Sequence, residues 1–199
     1  VTNSGKTEVY MRAVQRSLEK GKTAIVLVPE IALASQIAER FAKRFGKDNI
    51  AIMHSRLKTS ERLAEWIRIR TGKAKVVIGA RTAIFAPASD IGVIVIDEEH
   101  EATYKSDHNP KFETVDVAFK RAGQHGATLV LGSATPSIVS YNRAKSGIYQ
   151  LIEMKNRIGS SIMPEVQVVD MREELRAGNS GVISRALLSS MDETLASNE

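Results

Sequence analysis

Apolar residues gather in six short runs: Ala24 to Val28, Ile50 to Met53, Lys75 to Gly79, Gly92 to Asp97, Thr128 to Gly132 and Val166 to Asp170. Their β-branched and aliphatic content predicts strands. Most are near-continuous and not alternating, the pattern of strands covered on both faces, so the sheet is expected to be mostly parallel. Helical periodicity fills the intervals: Lys6 to Leu18, Ile31 to Phe45, Ser60 to Arg70, Thr114 to Ala122 and Pro136 to Ala144. In the second of these, Ile31, Ala34, Ile37, Ala38 and Phe41 fall on one stripe. Alternating strand and helix predict an α/β fold with helices on both faces of the sheet and ligands gathered at the carboxyl ends of the strands.

The alternation organises residues 1–155 as one lobe, with 156–199 as its C-terminal part. Arg157 to Met163 is polar, carries Gly and Ser and precedes Pro164, so it reads as a loop. A helix from Ser184 to Leu195 follows the sixth strand. It runs into Ser197-Asn198-Glu199 without a capping signal, and the chain is therefore expected to belong to a longer one.

At 199 residues, with 43% hydrophobic and 26% charged residues, the chain is sized for one sizeable core. The 28 Lys and Arg against 23 Asp and Glu give a net charge of +5, which suits a polyanionic partner and equally an ordinary basic surface. Cysteine is absent, which removes disulfides and thiolate metal sites. His54, His100, His108 and His125 lack the spacing of a zinc helix, so no structural zinc is expected. No apolar run approaches the ~20 residues that span a bilayer, nor is there a secretion-signal core, so a cytoplasmic protein with no membrane partner is expected.

Two motifs carry chemistry. Val1-Thr2-Asn3-Ser4-Gly5-Lys6-Thr7 matches the end of a phosphate-binding loop, in which backbone N–H groups wrap phosphates, Lys6 reaches the terminal ones and the Thr7 hydroxyl holds magnesium. A helix opening at Lys6 aims its positive end at the same phosphates. The first glycine of the pattern falls one position before Val1, and the strand that leads into such loops is not in the sequence. The second motif, Val93-Ile94-Val95-Ile96-Asp97-Glu98-Glu99-His100, is an apolar strand ending in three carboxylates and a histidine. Asp97 could position magnesium through its water shell, and Glu98 could orient and deprotonate a water.

Together with Val28-Pro29-Glu30-Ile31-Ala32-Leu33, Gly79-Ala80-Arg81-Thr82-Ala83 and Gly132-Ser133-Ala134-Thr135-Pro136, these motifs resemble those of the superfamily 2 helicases in kind and order. Pro29 to Leu33, Ile96 to Glu101 followed by Tyr104-Lys105, and Gly132 to Ser137 resemble, more narrowly, the primosomal replication-restart DNA helicases. The resemblance implies a RecA-like P-loop NTPase lobe, the first motor lobe of a 3′-to-5′ DNA helicase using ATP and magnesium. Thr2, Asn3, Ser4, Gly5, Lys6 and Thr7 would bind nucleotide, Thr7 and Asp97 the metal, with Lys6 and Glu98 catalytic. His100 would connect the ATP site to Ser133, Ala134 and Thr135. Pro29, Glu30, Arg81 and Thr82 stand where relatives touch the DNA backbone.

Tyr104 to Phe112 resembles the family's aromatic-rich loop, which senses DNA; Lys111 and Phe112 are its candidate contacts, and it lacks the loop's Trp. Phe112 stacking on a base and Phe112 buried in the core are both open. So are Pro29 as a strand stop, Arg81 as a surface charge and Ser133-Ala134-Thr135 as a plain turn with a helix cap.

Relatives also have an N-terminal DNA-binding region, a second lobe supplying an arginine, and a zinc-binding cysteine-rich insertion that a chain without cysteine does not contain. Forked or single-stranded DNA, primosome proteins and single-strand-binding proteins are the implied partners. This chain alone is expected to unwind nothing and to hydrolyse ATP slowly if at all, since that arginine contributes ~10³ or more in rate. Another superfamily 2 translocase, or a non-catalytic interaction module with a degenerate loop, are the competing readings.

Overall fold

Five strands form one sheet in which every neighbouring pair is parallel: β1 (Thr23–Leu27), β2 (Ile50–Met53), β3 (Val76–Gly79), β4 (Ile91–Asp97) and β7 (Thr128–Gly132), in the order β2-β3-β1-β4-β7. The computed structural model describes residues 4–156 and 166–197. Because all five strands point the same way, their carboxyl ends lie along one edge. That edge receives Pro29, Arg81 and Ser133, which lie in the segments after β1, β3 and β7, and Asp97, the last residue of β4.

The continuous apolar runs follow from two covered faces. All five residues of β1 are buried, and alternate side chains divide between two cores. Ile25 and Leu27, with Ile94 and Ile96 of β4, pack against Val115, Ala118 and Ala122 of α4 (Thr114–His125) and Ile69 of α3 (Thr59–Arg70). Ala24 and Val26, with Val93 and Val95, pack against Tyr10 and Val14 of α1 (Lys6–Glu19) and Ala38 and Phe41 of α2 (Ile31–Phe45).

Close packing removes side chains at two strand ends. A Cβ at Gly79 would lie 2.0 Å from the Met53 carbonyl oxygen of the adjacent strand, and one at Gly132 would lie 1.7 Å from the Tyr10 hydroxyl.

Three details differ from the sequence reading. A two-stranded antiparallel hairpin, β5 (Lys105–Ser106) with β6 (Phe112–Glu113), precedes α4. The helix expected from Pro136 begins later, as α5 (Ile138–Lys145), because Ser137 caps it: its hydroxyl accepts the Ser140 N–H. Val166 to Asp170 is not a strand. Val166 and Val168 are exposed with no ladder partner among the described residues, and Asp170 instead caps α6 (Met171–Arg176) by accepting the Arg172 N–H. The expected loop from Arg157 to Met163 lies outside the described residues.

The chain divides into two compact units, Val1–Gly159 and Ser160–Glu199. In the second, α7 (Arg185–Ala196) starts at the expected place, capped by Ser184. Among the described residues no helix is long and apolar enough to cross a membrane.

Candidate functional site

Gly5 sits at the N-cap of α1 with φ of 87°, a left-handed conformation that glycine adopts without strain. The chain can therefore turn sharply into the helix. The first amides of an α-helix lack the usual partner one turn earlier in the helix, so α1 directs N–H groups and the positive end of its dipole at this turn. Ser4 is buried and its hydroxyl has no hydrogen-bond partner among the described residues. Thr2 and Asn3 lie outside those residues.

Lys6 reaches across to the end of β4. Its Nζ lies 2.6 Å from Oε1 of Glu98, although the two are 92 positions apart in sequence. The side chains are 17% and 30% exposed, so the pair is partly shielded from water. Burial alone would raise the Glu98 carboxyl. The hydrogen bond and charge of Lys6 outweigh it, helped by the Ala134 N–H, and hold Glu98 below the usual carboxylate range. Glu98 itself has φ of 45°, a strained value for a non-glycine residue. That turn aims its carboxylate back toward α1.

Asp97, the last residue of β4, is held from three sides. Its Oδ1 accepts the Tyr10 hydroxyl at 2.9 Å and the Glu98 N–H at 3.1 Å, and its carbonyl accepts the Tyr104 hydroxyl at 2.7 Å. Burial pushes the Asp97 carboxyl up, with the Tyr10 hydrogen bond opposing it. Burial likewise raises both phenols, and the Asp97 charge adds to it, so Tyr10 and Tyr104 remain hydrogen-bond donors.

All three residues after Asp97 reach the segment after β7. Oε2 of Glu98 accepts the Ala134 N–H at 3.3 Å. His100 Nδ1 lies 2.7 Å from Ser133 Oγ, and Nε2 lies 3.3 Å from Thr135 Oγ1. Glu99, only 6% exposed, accepts the Ser137 N–H at 2.7 Å, the Ser137 hydroxyl at 3.1 Å and the Ser140 hydroxyl at 2.9 Å. Its carboxylate therefore sits at the N-terminus of α5, where the dipole favours a negative charge. Of these links the sequence reading, through its resemblance, expects only that of His100; Glu98 reads as a base with no tie to Ala134, Glu99 and Tyr10 carry no role of their own, and Tyr104 is placed only within the aromatic-rich loop. An aromatic on the inward stripe of a helix reads as core, and only the register of β4 against β7 reveals what it touches.

The candidate nucleic-acid residues occupy the same edge. Pro29 and Glu30 separate β1 from α2, with Glu30 exposed. Thr82 is exposed in a 3-10 turn, Arg81–Phe85, after β3. Arg81 is engaged: its guanidinium donates to the Lys105 carbonyl and lies 5.9 Å from the Phe112 ring centroid. Phe112 meets exposed Phe85 edge to face at 5.0 Å. Its ring is thus half-buried, and Lys111 beside it is exposed. The hairpin and the Arg81 turn form one cluster, which Tyr104 joins to Asp97.

Comparison with known proteins fits this geometry. A family model described as DEAD/DEAH box helicase matches residues 1–143. The chain is 50% identical over 199 residues to replication restart protein PriA of Bacillus subtilis, covering all of this chain and 25% of that protein. It is 40% identical over 204 residues to the protein of the same name from a Synechocystis strain, of which it covers 24%. The chain thus spans about a quarter of the length of these relatives.

Among solved structures, RecG bound to a three-way DNA junction superposes with a TM-score of 0.51 at 26% identity, over 72% of this chain and 18% of that one. The Pyrococcus furiosus Hef helicase domain gives 0.51 at 26% identity, over 68% and 28%. The parallel sheet with its edge of motifs is the RecA-like architecture of such domains. This chain belongs to the DEAD/DEAH box helicase family.

Proposed function

We propose that the first unit is the nucleotide-binding motor lobe of an ATP-dependent DNA helicase of the replication-restart kind, translocating 3′ to 5′. The observation that carries the reading is the Lys6–Glu98 pair at 2.6 Å, which brings the phosphate-binding turn and the strand-end carboxylates to one place. A lysine already neutralised by a carboxylate is one that a phosphate can take over. On nucleotide binding, Lys6 and the amides of Gly5 and Thr7 hold the terminal phosphates, and Oε1 of Glu98 is released to accept a proton from the attacking water. Oε2 keeps the Ala134 N–H, so the orientation of Glu98 is tied to the Ser133-Ala134-Thr135 segment that His100 also holds.

The donors fit a small hard cation: the carboxylate of Asp97 and the hydroxyl of Thr7 are both oxygen. Magnesium, when bound, would neutralise the phosphate charge that develops during transfer.

DNA is the proposed polymer, a reading supported by the DNA junction to which RecG is bound and by the replication-restart name of the PriA relatives. Pro29, Glu30, Arg81, Thr82, Lys111 and Phe112 would contact its backbone or an unpaired base from the carboxyl edge, contacts that position without reading sequence. Primosome and single-strand-binding proteins in the cytoplasm complete the proposed setting.

Calorimetric titration with magnesium-ADP tests the reading. Heat of binding is expected for the chain and its loss for Lys6→Ala; binding that Lys6→Ala leaves unchanged contradicts it.

A further inference from the structure

We infer that Tyr10 is a positioning residue for the Asp97 carboxylate: its hydroxyl occupies one oxygen so that the other faces the cation's water shell. The inference rests on the reading of Asp97 as the cation's carboxylate. Tyr10 lies one helical turn after Lys6, on the same side of α1, and is 2% exposed. Oδ1 of Asp97 takes two donors, the Tyr10 hydroxyl at 2.9 Å and the Glu98 N–H at 3.1 Å. Among the described residues no hydrogen bond reaches Oδ2. One carboxylate oxygen is thus saturated and the other is left for a further partner.

A second, independent feature points to the same bond. Gly132 pairs in register with Asp97 across β4 and β7. A Cβ there would lie 1.7 Å from the Tyr10 hydroxyl and 2.7 Å from Cζ. The phenol reaches Asp97 because the neighbouring strand carries no side chain at that position. The ring fills a core site, which phenylalanine would fill equally well; the hydroxyl is what the arrangement adds. Hydrogen-bonding partners behind a cation's carboxylate commonly contribute 10–100-fold to metal affinity, roughly, because they fix the carboxylate's orientation.

Tyr104 supplies the internal control. Its hydroxyl donates to the main-chain carbonyl of Asp97 at 2.7 Å, a bond of similar length that leaves the carboxylate alone.

The test uses the chain itself and Mn²⁺ alone as probe, read by paramagnetic broadening of backbone amide signals. In the unsubstituted chain the Thr7, Asp97 and Glu98 amides are expected to broaden first. Tyr10→Phe should move the titration to roughly ten-fold higher Mn²⁺. Gly132→Ala should do the same, and the double variant should lose no more than either single one, because both remove one bond. Tyr104→Phe should lower thermal stability while leaving the Mn²⁺ titration in place.

Tyr10→Phe titrating like the parent would overturn the positioning role and leave the Asp97 site standing. Equal weakening by Tyr104→Phe would overturn it too, by showing general loosening. Absence of broadening at Asp97 in the parent would remove the cation reading together with the inference.

Discussion

Replacing Glu99 with alanine tests whether the buried carboxylate fastens the segment after β7 to the end of β4. Three donors converge on it, from the Ser137 N–H, the Ser137 hydroxyl and the Ser140 hydroxyl. Hydrogen bonds to a charged group contribute ~1.5–3 kcal/mol each, so the three set a ceiling of roughly 5–9 kcal/mol. Two effects reduce it. Burying the carboxylate is itself costly by several kcal/mol, a cost the alanine variant no longer bears. Ser137 is also half-buried, so its hydroxyl can turn to water.

What remains is the buried Ser140 hydroxyl and the Ser137 N–H left without a partner, at ~1–3 kcal/mol each. The expected cost of Glu99→Ala is thus about 3 kcal/mol, or a fall in melting temperature of roughly 6–12 °C for a protein of this size. Glu99→Gln keeps one acceptor oxygen and should cost about 1 kcal/mol. Urea unfolding followed by the fluorescence of Trp66, the single tryptophan, reports the first unit alone. A cost below about 0.5 kcal/mol for Glu99→Ala, or equal costs for both variants, would refute the fastening role.

Gly79→Ala forces a Cβ to within 2.0 Å of the Met53 carbonyl, a backbone atom that cannot swing away, and should destabilise the first unit by about 2 kcal/mol or more in the same urea assay. Arg81→Ala should weaken binding to forked DNA and lower the slope of log affinity against log salt by about 0.9 if its guanidinium leaves Lys105 for a phosphate; an unchanged slope would confine Arg81 to holding the hairpin. In the second unit, the backbone N–H and guanidinium of Arg185, with the Asn179 amide, hold the Glu174 carboxyl down to about 2 from its ordinary 4.5. A depressed carboxylate stabilises above its unfolded value and loses that contribution as pH falls through the folded one. The Arg185 amide signal should therefore titrate with its midpoint near pH 2 and not near the ordinary 4.5, and Glu174→Gln should abolish the change.

Strands buried on both faces were easy to read, because β1 and β4 spell their environment as unbroken aliphatic runs. Val166 to Asp170 spells nearly the same thing yet forms no strand: a strand requires a partner ladder, which composition does not report, and the local cap by Asp170 is a short-range bond that needs none. The β5–β6 hairpin is too short, at two residues per strand, to show any periodicity. At the site, Lys6, Asp97 and Glu98 were legible since their chemistry is carried by residue type and spacing, His100 and Ser133 through the family resemblance, and the structure brings them together. Tyr10 and Glu99 were not. A tyrosine among the apolar positions of a helix and a third acid in a row both acquire meaning only from partners 87 and 38 positions away. Gly132 was read as a motif letter, whereas its reason is steric and belongs to Tyr10.

The central claim is that the edge joining Gly5, Lys6 and Glu98 receives the phosphates of a nucleotide. Backbone amide shifts of the chain titrated with magnesium-ADP address it most directly, since they locate even weak binding. The account predicts changes concentrated at Gly5, Lys6, Thr7, Asp97, Glu98 and Ala134, and their disappearance in Lys6→Ala. Changes that fall elsewhere, or that persist at these residues in Lys6→Ala, would contradict it.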